Sequence, residues 1–166
     1  MSEASTGTDG TRWLDEEEQH AWRAILRAGH LMRVGMEEAL GAHDVSFGEY
    51  ELLSMLSEAT GRRMRMAQLA DLIVQSRSRV SHTASRLERR GWVRRAPAPQ
   101  DGRGVVLMLT DAGVEQLRRL APVHVHSVRA GLLDHLSREE LLAYGEVMSR
   151  VVRATRSSTE QASDAV

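Results

Sequence analysis

Residues 75–113 constrain the fold more than any other part of the 166-residue chain. Ser76 is a good helix N-cap and Gly91 a good helix stop, and apolar residues recur at helical spacing between them. Strand-like runs at 92–93 and 105–109 then flank a loop rich in Pro, Gly and Asp. The start of a further helix follows. The stretch therefore predicts a helix, a β-hairpin and a second helix in succession.

The same stretch concentrates positive charge. Residues 77–103 contain eight arginines against two acids, Glu88 and Asp101, which gives a local net charge of +6. Because the whole chain has a net charge of −1, the residues outside this segment carry −7, the difference between −1 and +6. Such segregation is typical of a polyanion-binding site on an otherwise mildly acidic protein.

Other classes of site lack their residues. The chain has no cysteine, which excludes disulfides, cysteine nucleophiles and Cys-ligated zinc. His124 and His126 point about 200° apart on a helix and cannot chelate together, so only a metal site assembled from several elements stays open. The sequence contains neither a phosphate loop nor a Gly-x-Ser-x-Gly motif. We therefore predict no enzyme, no catalytic residue, no cofactor and no metal.

We expect neither a signal peptide nor a membrane-spanning segment. Residues 1–12 are polar and lack the apolar segment of a signal peptide, and no apolar run approaches the roughly 20 residues that span a bilayer. We expect a cytoplasmic protein without membrane contact. Residues 1–12 and 157–166 lack apolar periodicity and are predicted to be disordered tails.

The order of elements predicts a mainly α fold of the α+β winged-helix type. A long apolar helix from Leu14 to about 42 comes first, and three short helices, the hairpin and two further helices follow. Pro122 should kink or interrupt the helix that begins at 111. We assign residues 46–110 to a winged helix-turn-helix domain. Residues 13–45 and 111–156 are too apolar to stay uncovered, which predicts dimerisation helices.

The helix at 76–90 has two distinct faces. Val80, Ala84 and Leu87 fall in one narrow arc and should face the core. The opposite face carries hydroxyl, imidazole and guanidinium groups and no acid; its residues are Ser78, His82, Ser85 and Arg89, flanked by Arg79, Ser81 and Arg86. Short hydroxyls let a helix sit deep in a major groove, and arginine can donate two hydrogen bonds to guanine. The alternative is a solvated helix face with incidental arginines.

The hairpin tip carries Asp101-Gly102-Arg103. One arginine on a narrow hairpin can enter the minor groove, where negative potential is concentrated, and Asp101 is placed to orient it. The alternative is an ordinary charged turn. Together with backbone contacts, the predicted DNA-binding residues are Arg62, Arg63, Ser76, Arg77, Ser78, Arg79, Ser81, His82, Ser85, Arg86, Arg89, Arg94, Arg95, Asp101 and Arg103.

Residues 66–113 contain a set of motif residues: Leu69-Ala70, Ser76-Arg77-Ser78, Val80, Arg86-Leu87-Glu88, Gly91, Val93, Arg95, the Asp101-x-Arg103 wing and Leu109-Thr110-x-Ala112-Gly113. With these residues the segment closely resembles the MarR (multiple-antibiotic-resistance regulator) family. The resemblance implies a homodimeric regulator, in our interpretation a repressor, bound to a palindromic operator in double-stranded DNA. Two positions depart from the family pattern: Gly102 replaces a common wing arginine, and Val74 stands where glycine is common.

The resemblance also implies release of DNA by a small aromatic or phenolic effector. An aromatic acid needs an apolar cleft and a cation or imidazole, which Trp22, His30, Arg33 and Met36 on the first helix would supply. The alternative is that these side chains only pack, as a Met-rich helical stripe usually does. For the function as a whole, the alternative is a non-sequence-specific or architectural DNA-binding protein.

Overall fold

The computed structural model describes residues 9–98 and 104–164, with side chains up to residue 155. It confirms a mainly α fold with one small sheet. The helices are α1 (Glu16–Gly41), α2 (Phe47–Glu58), α3 (Met66–Leu72), α4 (Arg77–Arg89), α5 (Asp111–Gly131) and α6 (Arg138–Asp164). The strands are β1 (Arg63–Arg65), β2 (Val93–Pro97) and β3 (Val105–Leu109). Single 3-10 turns lie at Thr60–Arg62 and Leu133–His135.

The chain forms two compact units that divide between Ser127 and Val128, inside α5. The first unit contains α1 to α4, the sheet and most of α5. The second contains the end of α5 and α6. The predicted division by role, with a winged helix at 46–110 between dimerisation helices, stays a prediction.

The sheet contains one strand that the sequence did not predict. Its order is β1-β3-β2, with both pairs antiparallel. The sequence pattern indicates only a basic segment at 62–65, whereas Arg63–Arg65 pairs with β3. A strand of three residues has too few positions to display alternation. Its partner, more than 40 residues away in sequence, defines it.

The predicted helix ends are confirmed at three places. Ser46 and Glu49 form a reciprocal capping box at α2. The Ser76 hydroxyl accepts the Arg79 backbone N–H at 3.3 Å at the start of α4. Gly91, just after α4, has a φ of +72°, in the left-handed region that a helix stop requires.

One predicted boundary is corrected. The sequence predicts a disordered tail from residue 157, but α6 continues to Asp164. It also predicts a kink or interruption at Pro122, and the helix is not interrupted there, because α5 continues to Gly131. A proline removes one backbone hydrogen bond and crowds the preceding turn, which a helix of 21 residues can absorb. Residues 1–8 of the other predicted tail lie outside the described residues.

The core lies beneath the hairpin and behind α4. Its buried residues come from α2, α3, α4 and the two hairpin strands, and include Leu53, Leu69, Val80, Leu87 and Leu107. A second cluster joins the end of α1 to α2 and α5 through Leu40, Val45, Tyr50 and Leu120. The core therefore holds α4 on the hairpin along its whole apolar face.

The turn between α3 and α4 contains a strained residue. Val74 has a φ of +52° and its side chain is 79% exposed. The left-handed region costs an L-residue roughly 1–2 kcal/mol, and branching at Cβ makes it worse. Val74 therefore adopts, with backbone strain, a conformation that glycine adopts freely. The departure from the family pattern at this position destabilises the folded state.

Replacing Val74 with glycine should stabilise the protein by about 0.5–1 kcal/mol, since relief of the strain exceeds the entropy that glycine gains in the unfolded chain. Thermal unfolding of the variant measures the gain. Val74→Ala is the control, because alanine keeps the Cβ that creates the strain and should gain much less. Equal effects from both substitutions would contradict the prediction.

Candidate nucleic-acid interface

The exposed face of α4 has the composition that the sequence predicted. Val80, Ala84 and Leu87 are fully buried, and Thr83 joins them with 6% exposure. The residues at 76, 77, 78, 79, 81, 82, 86 and 89 are exposed, while Ser85 is half-buried. The helix thus presents hydroxyls, one imidazole and several guanidinium groups to its surroundings.

The one acid in α4, Glu88, is engaged by Arg95 from β2. Arg95 Nη1 lies 2.6 Å from Glu88 Oε2, and the Arg95 backbone N–H donates to Glu88 Oε1 at 3.0 Å. Arg95 Nη2 also donates to the Ser81 carbonyl at 2.9 Å and to the Ser85 hydroxyl at 3.0 Å. The sequence placed Arg95 among the candidates for contact with the DNA backbone. Its guanidinium joins the hairpin to α4 and neutralises the acid beside the exposed face, and its contact with DNA stays a prediction.

Arg86 also has partners within the protein, although about half of its side chain stays exposed. Its Nε donates to Glu49 Oε1 at 3.2 Å, and its Nη2 lies 3.4 Å from the Ser46 hydroxyl. Glu49 is only 3% exposed, and its second oxygen accepts the Ser46 backbone N–H at 2.9 Å. The sequence pattern identifies Glu49 as a cap of α2 and does not indicate its contact with α4. No local signal could reveal it, because 37 residues separate the partners.

The remaining predicted arginines are distributed over the sheet. Arg63 and Arg94 lie opposite Met108 on either side of β3, so they share the outer sheet face, away from α4. Arg62 forms an ion pair with Asp111 at 3.5 Å. Asp101 and Arg103 lie outside the described residues. At the two sides of that gap, the Ala98 N–H donates to the Gly104 carbonyl at 2.8 Å.

A cavity of about 360 Å³ lies between α4, α1 and the start of α2. Its walls include Arg33 and Glu37 of α1 and Ser78, Arg79, His82, Thr83 and Arg86 of α4. Of the four predicted ligand-binding residues, Arg33 alone lines it. Trp22 lies 11 residues earlier on the same helix, roughly 16 Å along the axis, which is too far to share one small site within a protomer.

A second carboxylate near this cavity belongs to Glu51 of α2, which was not among the residues predicted from the sequence. Gln75 Nε2 donates to Glu51 Oε2 at 3.3 Å, which ties α2 to the turn before α4. Burial raises the pKa of the Glu51 carboxyl, and the charge of Arg33 acts in the opposite direction. Arg33 itself lies over the Phe47 ring, 5.4 Å from its centroid.

His124 of α5 occupies an aromatic environment. Its ring centroid is 4.4 Å from that of Tyr50 and 6.3 Å from that of Phe47. Its Nδ1 is buried and has no hydrogen-bond partner among the described residues. Burial therefore lowers the pKa of the His124 imidazole.

A lowered histidine pKa should make the protein less stable in mild acid. Above the ordinary value of about 6.5 the ring is neutral in both states; below it, the unfolded chain takes up the proton first, so stability falls as the pH drops toward the folded pKa. His124→Gln should reduce the difference between thermal midpoints measured at pH 7.5 and 5.5. His126→Gln, at an exposed position, should leave that difference unchanged. A matching reduction in both variants would contradict the assignment.

The chain resembles known regulators in sequence and in structure. A profile of the MarR family matches residues 43–104. The regulator AbsC of Streptomyces coelicolor superposes with a TM-score of 0.83 at 39% identity, over 89% of this chain and 99% of AbsC. Sco3205 from the same organism, solved in complex with DNA, has a TM-score of 0.83 at 41% identity, over 86% of this chain and 94% of Sco3205.

The chain belongs to the MarR family. The identities with AbsC and Sco3205, over nearly their whole lengths, decide the assignment. The HTH-type transcriptional regulator PecS of Dickeya dadantii is also 26% identical over 84% of this chain and 88% of PecS. The MarR-family chain is therefore a DNA-binding regulator of transcription with a winged-helix fold. Because these relatives are transcriptional regulators, the prediction that the chain is not an enzyme is confirmed.

Two observations on the described residues concern membrane-spanning helices and metal sites. None of the helices in the described part of the chain is long and apolar enough to cross a membrane. Within the same residues, no group of three or more His, Asp or Glu side chains is arranged to hold a metal ion.

Proposed function

We propose that this MarR-family chain is a repressor that binds a palindromic operator as a homodimer. Each protomer would place α4 in a major groove and the wing in the neighbouring minor groove. Bound over a promoter, such a dimer prevents transcription by occupying the site. In this arrangement α1 and the helices after residue 110 would pair the two copies, and the winged helix at 46–110 would contact DNA.

The exposed face of α4 is the observation that carries the proposal. Its exposed residues supply hydrogen-bond donors and positive charge, and the one acid in the helix, Glu88, is neutralised by Arg95 at 2.6 Å. A face without uncompensated negative charge suits the electronegative floor and walls of a DNA groove. Ser78, His82 and Arg89 are the proposed readers of base edges. Arg86 is a weaker candidate than the sequence suggested, because Glu49 already accepts its Nε–H.

A second copy of the chain is the proposed cover for apolar surface that one copy leaves exposed. On α1, Trp22 is 51% exposed, Ile25 48% and Leu26 51%. In the second unit, α6 has no buried side chain among its residues up to 155, although Leu142 and Val151 are large and apolar. A helix of this kind is not stable alone in water, and identical chains can bury such faces against each other.

Selection of bound sites from random double-stranded DNA tests the proposal. Recovery of one palindromic sequence, with half-sites about one helical turn apart, is the expected result. The alternative, an architectural DNA-binding protein, gives no consensus and an affinity ratio near one between selected and unrelated DNA. A reporter placed behind the selected site then shows whether bound protein lowers transcription, as a repressor requires.

Removing the wing arginine should weaken operator binding while the dimer stays intact. Arg103→Ala deletes the group proposed for the minor groove, with an expected loss of about tenfold in affinity, or roughly 1.4 kcal/mol. Titration of labelled operator at one fixed salt concentration measures it, and sedimentation confirms the dimer. Arg119→Ala on α5 removes the same charge elsewhere and is the control. An affinity equal to that of the control contradicts the wing assignment.

A small anionic effector is proposed for the cavity between α1, α2 and α4. Three arginines, Arg33, Arg79 and Arg86, line it together with one carboxylate, Glu37. This lining favours an acid over a neutral ligand. Because Arg79 and His82 also belong to the face proposed for DNA, a molecule bound there would compete with the operator.

Benzoate and salicylate are suitable probes for the effector, with benzamide as the uncharged control. The acids should release labelled operator in a concentration-dependent way, and Arg33→Ala should raise the concentration required. Arg33 lies on α1, outside the proposed DNA contacts, so its loss should leave affinity for DNA alone unchanged. Equal release by benzamide would exclude recognition of the carboxylate.

A further inference from the structure

We propose that a hydrogen bond between Glu51 and Gln75 positions the start of α4 and thereby sets how well the protein distinguishes its operator from other DNA. This role rests on the proposed function, because it assumes that α4 reads base edges. Glu51 and Gln75 then act as positioning residues, and neither is among the residues that the sequence predicted to bind DNA.

Gln75 connects three helices at one point of the chain. It lies in the turn between α3 and α4, directly before Ser76, whose hydroxyl caps α4. The Gln75 backbone N–H donates to the Ala70 carbonyl at 3.0 Å, which closes the end of α3. Its side-chain Nε2 donates to Glu51 Oε2 at 3.3 Å. The backbone of this residue therefore fixes the turn to α3, and its side chain fixes the same turn to α2.

The turn needs a contact from outside because its own conformation is unfavourable. Val74, the residue before Gln75, has a φ of +52°. Strained backbone persists only where the surrounding structure holds it. The Val74 side chain is 79% exposed and supplies little packing of its own. Gln75 and Glu51 are both half-buried, so their hydrogen bond is partly shielded from water.

The two ends of α4 are held by different contacts. Toward its C-terminal end, α4 is bound to α2 through Arg86 and to β2 through Arg95. At its N-terminal end, the bond between Gln75 and Glu51 lies one residue before the cap. The N-terminal residues of a recognition helix contact base edges, and such a site works only when its groups are held to within about 0.5 Å. Loss of this bond should therefore reduce base discrimination while the rest of α4 stays in place.

Amide hydrogen exchange of the free protein tests whether the bond holds the turn. The backbone N–H groups of Gln75 and Arg79 are hydrogen-bonded at the turn and at the cap of α4, so their exchange reports on this region. Glu51→Leu removes the acceptor and keeps a side chain of similar size. Both amides should then exchange about two- to tenfold faster, the range expected for loss of one hydrogen bond, while residues 86–89 exchange as before. Glu58→Leu, at an exposed position of the same helix, removes the same charge and is the control. Equal exchange in the two variants would contradict the proposal.

Competition between the selected operator and unrelated DNA tests the consequence for binding. The ratio of the two affinities should fall about fivefold in Glu51→Leu, because the reading end of α4 is no longer fixed. The affinity for unrelated DNA should equal that of Glu58→Leu. A role confined to folding would instead lower both affinities together, since it reduces the amount of competent protein.

An exchange of the two side chains separates positioning from direct contact with DNA. Gln75→Glu places a second carboxylate beside Glu51, and the repulsion between like charges should also lower the affinity ratio. Adding Glu51→Gln restores an amide–carboxylate hydrogen bond in the reverse direction, and the ratio should return close to the wild-type value. If Gln75 contacts a base directly, Glu51→Gln cannot restore the ratio, and the positioning role is wrong.

The outcomes separate this role from the function on which it rests. If the wild type prefers the selected operator and Glu51→Leu keeps the whole preference, the positioning role fails and the proposed function stands. If the wild type shows no preference for the selected operator, the proposed function fails. The role in discrimination then fails with it, whatever hydrogen exchange shows about the turn.

Discussion

Replacing Gly113 with alanine should destabilise the protein by about 3 kcal/mol and lower its thermal midpoint by roughly 10 °C. Gly113 is buried in the first turn of α5, where the helix begins directly behind the hairpin. A Cβ placed on it would overlap the Trp92 carbonyl oxygen and lie 2.7 Å from Leu109 Cδ1. The obstructing oxygen belongs to the backbone, so no side-chain rotation can relieve the contact.

The surroundings of Gly113 explain why α5 cannot simply move away. The Thr110 hydroxyl lies 3.0 Å from the Trp92 carbonyl and accepts the Gly113 backbone N–H at 3.1 Å. The Thr110 N–H also donates to the Trp92 carbonyl, at 3.0 Å. Moving the helix would break this set of hydrogen bonds at the point where β2 begins. The Leu109–Gly113 motif is thus a helix cap and a close approach of two backbones.

Gly48→Ala is the matched control, because Gly48 lies in α2 and a Cβ there would meet nothing within 4 Å. Alanine is favoured over glycine inside a helix, so this variant should be unchanged or slightly more stable. Both midpoints are compared at one protein concentration, since the proposed dimerisation would make the midpoint depend on concentration. A loss of less than about 1 kcal/mol in Gly113→Ala would contradict the steric argument.

The second large effect is expected at Glu49. Glu49→Ala should cost about 3 kcal/mol, because it removes one half of the capping box of α2 and leaves three partly buried donors without their acceptor. The carboxylate accepts the Ser46 backbone N–H at 2.9 Å and its hydroxyl at 3.1 Å, in addition to Arg86 Nε–H at 3.2 Å. The substitution therefore also removes the ion pair that links α2 to α4. Thermal or denaturant unfolding measures the total cost.

The contributions of the cap and of the ion pair can be separated. Glu49→Gln keeps an oxygen for the cap and removes the charge, so it should cost less than alanine. A double-mutant cycle of Glu49→Gln with Arg86→Ala then measures the coupling between α2 and α4. Glu58→Ala, at an exposed position of the same helix, is the control. A cost for Glu49→Ala equal to that of Glu58→Ala would show that the buried carboxylate stabilises nothing.

Much of the fold could be predicted because its signals are local. The Ser46–Glu49 capping box, the Ser76 cap and the Gly91 stop depend on residues within one helical turn of each other. The buried face of α4 follows from helical spacing, and Val80, Ala84 and Leu87 are fully buried as expected. The sequence likewise supported membership of the MarR family, because its motif residues form one continuous segment.

What the sequence by itself determined was therefore the identity of the elements and the charge they carry. Only the tertiary structure decided which charges are available. It paired Arg95 with Glu88 and placed Arg86 on Glu49 across 37 residues. Helical periodicity predicts on which side of its helix a side chain lies. It cannot state what another element places in front of that side chain, because such contacts form only when distant segments pack together.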